Sequence, residues 1–344
     1  MHLSDFDYEL PPELIAQEPP ADRTASRLMV VHRATGCIEH HVFRNIGDYL
    51  QSGDLLVLNE TKVLPVRLYG RKAGSGGRVE LLLLRPGGEG ENTWECLARP
   101  GRRLPPGTVA EFAAGLRGEV VARTAAGGRL VRFSLPAGKT FEAVLEEAGE
   151  VPLPPYIKKP LADPGRYQTV YAREPGSAAA PTAGMHFTPE LLRSLRAAGV
   201  RTATLVLHIG LDTFRPVQTE DITAHRMHRE HYGIPEGTSQ AVNAAKREGR
   251  RVIAVGTTST RCLETAALPD GTVPPGAGWS ELFIYPGFRF KVIDALLTNF
   301  HLPRSTLLML VSAFAGRELI LAAYREAVER RYRFFSFGDA MLIL

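Results

Sequence analysis

The chain has 344 residues, of which 44% are hydrophobic and 23% are charged, and its mean hydropathy is −0.09. This composition excludes disorder, collagen and coiled coil, and the length predicts about two domains. The 41 basic and 37 acidic residues leave a net charge of +4, which permits a polyanionic partner without requiring one. The three cysteines lie far apart and include no CxxC pair, which excludes a disulfide framework or a cysteine zinc site.

The first 62 residues show a strand–helix–strand pattern. Apolar runs predict strands over 28–32, 38–43 and 55–58, with a short helix over 46–50. Before them, the amino terminus is acidic and interrupted by prolines, unlike a signal peptide. The most apolar helix-length run, residues 307–315, is also far shorter than the roughly 20 residues of a membrane span. We therefore expect a soluble, cytoplasmic protein.

The pattern changes over residues 63–150. Short apolar runs recur between breaks rich in Gly and Pro, which predicts a small antiparallel barrel or sandwich. One helix is predicted over 141–147, and the proline cluster at 151–166 is interpreted as a linker that returns to the first domain. The predicted organisation is an α/β domain (1–62 and 151–344) interrupted by an inserted β-domain (63–150).

Helices and strands alternate again after Thr188 and Pro189, which predict an N-cap and the first residue of a helix. Strands follow at 202–209, 251–256 and 340–344, and helices at 239–248, from about 260, and within 316–332. Strand–helix alternation is typical of an α/β domain with mainly parallel strands.

Two glycine-containing segments resemble phosphate-binding loops only superficially. Gly138-Lys139-Thr140 lies between a strand and a helix, but position 133 is Phe where a Walker loop needs Gly. Residues 74–77 connect two strands and open no helix, so they indicate a hairpin turn. Neither an NTPase nor a nicotinamide enzyme is indicated.

The strongest local motif is AVGTTSTRCLE, residues 254–264, in which a buried strand leads into a helix through four hydroxyl residues. The N–H groups of a helix N-terminus favour an anion, so we predict a carboxylate or phosphate site; ordinary N-capping is the alternative. The side chains of this predicted site are Thr257, Thr258, Ser259 and Arg261.

The loop 176–192 is rich in small residues and ends at another helix N-terminus, which would let a flat ligand approach the backbone. His186 and Thr188 are its candidate binding side chains, and a flexible loop before a capped helix is the alternative.

Several histidines lie where α/β proteins place chemistry. His208 and Asp212 lie at the carboxyl end of a predicted strand, and His301 precedes a helix that starts near Ser305. A structural role for each histidine remains an equal alternative. On a helix, His225, His228 and His231 would spread too widely for a metal, so the segment favours contact with a substrate carboxylate or phosphate, or a solvated basic helix.

Taken together, these motifs resemble the S-adenosylmethionine:tRNA ribosyltransferase-isomerase family of the queuosine pathway. The resemblance runs from about Asp5 to Ile343 through ten blocks in order, which include DLLVLNETKVLPVRLYG, PTAGMHFT, HIGLDTFRPV, HRMHRE, VIAVGTTSTRCLE and YRFFSFGDAMLI. It implies an α/β barrel-like main domain interrupted by a small antiparallel β-barrel, in a bacterial cytoplasmic monomer.

The resemblance also implies the reaction. The ribosyl group of S-adenosylmethionine, the co-substrate, is transferred to 7-aminomethyl-7-deazaguanine at the wobble position of tRNA and isomerised, giving epoxyqueuosine while adenine and methionine leave. No metal or redox cofactor is required. Since the sulfonium acidifies the adjacent 5′ hydrogens, a positioned base can start the isomerisation.

We assign predicted roles to the candidate residues accordingly. His208, His228 and His301 are the candidate bases or acids, with Asp212 and Glu230 as their partners. The anion site described above binds S-adenosylmethionine or phosphate, and Asn59, Glu60 and Lys62 are expected at an interdomain cleft. The candidate contacts to tRNA phosphates are Lys62, Lys158, Lys159 and Arg304.

Two other functions remain open on the residues alone. A non-catalytic RNA-binding protein would carry a basic, aromatic sheet face, for which residues 63–150 offer few aromatics. An S-adenosylmethionine methyltransferase would need a glycine-rich loop after its first strand, and this chain has none there.

Overall fold

The computed structural model describes residues 1–87, 91–125, 127–210, 217 and 219–344. They form two compact units. The first unit comprises 1–62, 155–175 and 180–344, and the second comprises 63–154 and 176–179.

The secondary structure elements are numbered here in chain order. The strands among the described residues are β1 (Arg27–Val31), β2 (Ile38–Val42), β3 (Leu55–Asn59), β4 (Thr61–Val63), β5 (Arg67–Lys72), β6 (Arg78–Pro86), β7 (Thr93–Arg99), β8 (Val109–Phe112), β9 (Arg117–Arg123), β10 (Arg129–Ser134), β11 (Gly149–Glu150), β12 (Glu174–Ser177), β13 (Arg201–Leu207), β14 (Glu230–Ile234), β15 (Val252–Val255), β16 (Gly276–Ser280), β17 (Ala295–Asn299) and β18 (Ala340–Ile343). The α-helices are α1 (Phe141–Ala148), α2 (Pro189–Ala197), α3 (Glu236–Arg247), α4 (Thr257–Ala266), α5 (Thr306–Ala315) and α6 (Arg317–Glu329).

The first unit is built on a nine-stranded sheet in the order β16-β14-β13-β3-β15-β17-β18-β1-β2. Strands β13, β3, β15 and β17 run parallel, as do β18 and β1. The pairs β17–β18, β1–β2, β13–β14 and β14–β16 are antiparallel. The prediction of mainly parallel strands was therefore wrong: a parallel centre carries antiparallel strands towards both edges, as in many mixed sheets. The barrel-like closure of this domain stays a prediction.

The centre of this sheet is apolar on both faces, because β3, β15, β17 and β18 consist entirely of buried residues. Such continuous apolar runs are typical of strands covered on both sides. Leu56, Ile253 and Leu297 belong to a core cluster that also includes Phe187 and Leu192 from the chain around the start of α2.

The second unit is an antiparallel β-barrel. Its strands pair in the order β5-β6-β7-β10-β9-β8, and β8 pairs back to β5 to close a ring of six strands, while β11 adds to β5. Helix α1 contributes Phe141, Val144 and Leu145 to the apolar interior. The predicted antiparallel barrel is confirmed.

Four element predictions need correction. The helix expected at 46–50 is a 3-10 segment, Phe43–Tyr49. Helix α4 begins at Thr257 rather than near 260, because Gly256 adopts a φ of 91° and turns the chain directly out of β15. Helix α3 begins at Glu236, three residues earlier than expected. Residues 225–229 contain no helix and lead into β14.

Within the described residues, no single helix is long and apolar enough to cross a membrane. Helices α5 and α6 meet that test only as a pair, and they are bent by 117° at their junction.

Candidate functional site

Polar residues gather at one edge of the nine-stranded sheet. Because β3, β13, β15 and β17 are parallel, their carboxyl ends meet at this edge, where open α/β sheets bind ligands. Asn59 ends β3, His208 follows β13, and Thr257 follows β15 through Gly256. We call this the carboxyl edge.

Asn59 joins three elements of the carboxyl edge. Its side-chain Nδ2 donates to the carbonyl of Leu207 at 3.0 Å and to Thr258 Oγ1 at 3.3 Å. Its Oδ1 accepts from the backbone N–H of Leu207 at 3.1 Å and of Thr61 at 3.2 Å. The amide is fully buried and all its hydrogen bonds named here are to protein groups. It therefore fixes the positions of β3, β13 and the start of α4 relative to one another.

His208 is half-buried at the same edge, with Nδ1 lying 2.8 Å from the hydroxyl of Thr61. Its ring stacks on His231, with ring centroids 6.0 Å apart. Burial, and then the neighbouring His231, lower the pKa of His208, although Glu174 acts in the opposite direction. The imidazole is therefore neutral at neutral pH and can accept a proton.

Glu230 is the centre of a buried charged cluster. Arg261 Nη1 forms a short ion pair with Oε2 of Glu230, and His228 Nε2 lies 3.1 Å from Oε1. The N–H of Gly210 donates to the same Oε1 at 3.2 Å. Burial acts to raise the pKa of Glu230, but the hydrogen bond from His228 and the charge of Arg261 outweigh it and leave the pKa lowered.

The predicted anion site at the start of α4 is partly used by the protein itself. Ser259 donates to the carbonyl of Val255 at 2.9 Å and is fully buried. Arg261 Nε donates to the carbonyl of Leu282 at 3.2 Å, whereas its buried Nη2 has no hydrogen-bond partner among the described residues. Thr257 and Thr258 are the hydroxyls of the first turn.

His186 ends the 3-10 segment Thr182–His186, which contacts β17. Its Nδ1 lies 2.7 Å from Ser26 Oγ, and burial lowers the pKa of the ring to about 4. It lines a small pocket together with Arg23, Arg166 and Ser336.

Two other predicted site residues have structural contacts. Thr188 caps α2 by accepting from the N–H of Leu191 at 3.2 Å. His301 is buried, with Nε2 at 2.9 Å from Thr298 Oγ1, and burial lowers its pKa to about 3. The geometry favours capping and core roles, the alternatives that the sequence left open.

The predicted tRNA contacts are dispersed. Lys158 and Lys159 are exposed, and Lys159 pairs with Glu18 at 3.2 Å. Arg304 is exposed and pairs with Asp7, with Nε at 2.8 Å from the carboxylate. Lys62 is half-buried and makes an electrostatic or hydrogen-bond interaction.

Asp212, a predicted partner of the catalytic histidines, lies outside the described residues. In the ranges that the structure describes, no group of three His, Cys, Asp or Glu is placed to hold a metal ion.

Thr61 and His231, the neighbours of His208, were not predicted from the sequence, and neither was the pairing of Arg261 with Glu230. Glu60, which was among the predicted residues, directly follows the apolar strand LLVLN. It is buried, and its Oε2 has no hydrogen-bond partner among the described residues.

A mixed sheet whose carboxyl edge carries a neutral histidine, a buried charged cluster and a helix N-terminus is typical of α/β enzymes. The family model described as queuosine biosynthesis protein matches residues 3–343. The chain therefore belongs to the queuosine biosynthesis protein family.

The chain is similar to proteins named S-adenosylmethionine:tRNA ribosyltransferase-isomerase. The protein of Pelotomaculum thermopropionicum is 61% identical over 345 residues, and that of Moorella thermoacetica is 59% identical over 348; both alignments cover 100% of each chain. A crystal structure of S-adenosylmethionine tRNA ribosyltransferase from Thermotoga maritima matches with a TM-score of 0.57 at 44% identity, covering 99% of this chain and 100% of that one.

Proposed function

We propose that this chain transfers the ribosyl group of S-adenosylmethionine to 7-aminomethyl-7-deazaguanine in tRNA and isomerises it, giving epoxyqueuosine-tRNA with release of adenine and methionine. The observation that carries the proposal is the family match over residues 3–343, together with full-length relatives of 61% and 59% identity that bear the name of this activity. The chain is accordingly a transferase.

The first chemical step requires a base beside the 5′ carbon of S-adenosylmethionine. In this proposal His208 removes a 5′ proton, and the electron pair of the broken C–H bond stays on the carbon next to the sulfonium. In the tautomer in which Nδ1–H donates to the hydroxyl of Thr61, Nε2 is the nitrogen that accepts the proton. The lowered pKa of His208 supports this role, because the neutral ring is the form that accepts a proton.

The later steps need an acid and two anchors. The ribose ring opens, adenine leaves and the tRNA amine captures the sugar. We assign protonation of the departing adenine to His228, which Glu230 positions. Arg261 Nη2 and the first turn of α4 suit the methionine carboxylate, whereas the buried carboxylate of Glu60 suits the sulfonium cation.

The proposal extends to the working form of the protein. We infer that the target base lies at the wobble position, that the chain acts as a cytoplasmic monomer, and that tRNA and S-adenosylmethionine are its only substrates. The transformation as written is balanced by proton transfers and bond exchange, so it calls for no metal or redox cofactor.

Product analysis tests the function. The protein is incubated with S-adenosylmethionine and a tRNA that carries 7-aminomethyl-7-deazaguanine, with guanine-containing tRNA as the control. We expect adenine and methionine to be released in equal amounts, only with the modified tRNA. S-adenosylhomocysteine would indicate a methyltransferase instead, and RNA binding without any product would indicate a binding protein.

A further inference from the structure

Three aromatic rings form a row across three neighbouring strands. In the register of β14 and β16, His231 lies directly opposite Trp279. His208 is the next residue across on the β13 side, where its N–H donates to the carbonyl of His231 at 2.9 Å. The ring centroids are 6.0 Å apart for His208 and His231 and 5.3 Å apart for His231 and Trp279. We call these three residues the aromatic row.

The aromatic row runs from the carboxyl edge to solvent. Its inner end is His208, bonded to Thr61, and its outer end is Trp279 on the terminal strand of the sheet, which is 56% exposed. A tryptophan is costly to leave in water, because its large ring can bury more apolar surface than almost any other side chain. Among the exposed large hydrophobic side chains of the described residues, Trp279 is the one that continues a row of rings from the carboxyl edge.

One arginine lies over the ring at the outer end of the aromatic row. The guanidinium of Arg229 lies 5.5 Å from the centroid of the Trp279 ring and is also 2.8 Å from Glu281. Arg226 is exposed in the same segment. Glu230 alternates to the opposite side of β14, where it pairs with Arg261, so Glu281 is the carboxylate that offsets Arg229. That ion pair is exposed, and exposed ion pairs contribute little free energy, so an RNA phosphate can compete with Glu281 for the guanidinium.

We propose that Trp279 is a stacking platform for an unpaired nucleobase of the RNA substrate, and that Arg229 beside the ring exchanges Glu281 for an adjoining phosphate. An exposed aromatic ring with arginines beside it is how proteins bind single-stranded RNA loops, since every base offers a π-face and every nucleotide a negative charge. The aromatic row also connects this platform to the proposed base. An RNA loop stacked on Trp279 lies at one end of the row, and His208 lies at the other end. This inference rests on the proposed RNA substrate and adds the residue that orients it.

Equilibrium binding tests the platform. We expect Trp279→Ala to raise the Kd for a stem-loop with an unpaired loop by about 5- to 100-fold, the range of base–aromatic stacking. Trp279→Phe, which keeps a ring, should recover most of this loss. The Kd for S-adenosylmethionine should not change. Leu268→Ala, at an exposed apolar residue of the same unit, is the matched control and should bind RNA as the wild type does.

A spectroscopic measurement separates stacking from a general structural effect. The chain has two tryptophans, so Trp94→Phe leaves Trp279 as the single reporter. Its fluorescence should be quenched by the stem-loop and much less by a duplex without a loop. Equal RNA affinity of Trp279→Ala and wild type, or a loss of self-association in that variant without a loss of RNA affinity, would overturn the platform.

The two proposals fail in different ways. Trp279-dependent loop binding without adenine release would support the platform and reject the proposed reaction. Adenine release with wild-type tRNA affinity in Trp279→Ala would do the reverse.

Discussion

At the scale of single residues, the surroundings of His208 define its chemistry. Burial and the adjacent His231 keep the ring neutral, while Thr61 holds one nitrogen. We expect His208→Ala to reduce single-turnover adenine release by roughly 10²–10⁴-fold, the usual share of acid–base catalysis, with the Kd for S-adenosylmethionine nearly unchanged. Washout of deuterium from 5′-labelled S-adenosylmethionine should disappear in the same variant.

The pH dependence provides the control for this assignment. A base is active when unprotonated, so a pKa lowered from 6.5 moves the loss of rate on acidification to below pH 6.5. His231→Asn removes the neighbouring imidazole, so the rate of this variant should begin to fall at a higher pH than that of the wild type. Full turnover in His208→Ala would instead assign the ring a structural hydrogen bond, and joint loss of rate and affinity would make it a substrate anchor.

The Glu230–Arg261 pair predicts a stability effect that a ligand anchor alone would not show. Both side chains are buried, so Glu230→Ala leaves an uncompensated guanidinium inside the protein. We expect the free energy of unfolding to fall by about 3–5 kcal/mol, measured by urea denaturation. The double variant Glu230→Met/Arg261→Met, which removes both charges, should recover most of this loss. Equal stability of the single variant and wild type would show that the pair contributes nothing.

At the scale of elements, the barrel closes where a glycine allows two strands to approach. Gly70 in β5 pairs with Phe112 in β8, and a Cβ there would lie 2.4 Å from the carbonyl oxygen of Glu111. Gly70→Ala should therefore destabilise the protein by about 1–3 kcal/mol through overpacking, measured by urea denaturation. Gly77→Ala is the matched control, since its added Cβ would meet nothing closer than 3.7 Å. Similar losses in both variants would argue against closure at Gly70.

Elements with a strong pattern could be predicted from the sequence, and those formed by pairing could not. Local sequence is enough to predict the strands β3 and β15 from their apolar runs, and the start of α5 from its cap Ser305. The segment GAGWS of β16 has no apolar alternation and becomes a strand only because β14 pairs with it. The histidine-rich approach to β14 likewise has no helical or strand period, which explains the wrong helical interpretation.

At the scale of the whole molecule, the sequence predicted which ends of strands carry polar groups but not which groups meet. Asn59 and His208 could be placed at strand ends because the preceding residues are apolar. The contact of Arg261 with Glu230 joins residues 31 apart in the chain and on different elements. It depends on the position of α4 over β14, which local propensity does not determine.

The buried histidines predict how stability depends on pH. His186 and His301 are buried in the first unit, and burial lowers their pKa values from 6.5 to about 4 and about 3. Unfolding returns both to water, where they bind protons below about pH 6.5. Between pH 6.5 and 4 the unfolded chain therefore binds more protons than the folded one, and stability falls as the pH is lowered.

This linkage amounts to about 3 kcal/mol for each histidine by pH 4. Urea denaturation at intervals from pH 7 to pH 4 measures how the free energy of unfolding changes with pH. Carboxylates also titrate in this range, and their contribution cancels when a histidine variant is compared with the wild type. His301→Asn should flatten the profile relative to the wild type by about the share of one histidine. A His301→Asn profile parallel to that of the wild type would show that the imidazole becomes protonated without opening the core around Thr298 and Tyr324.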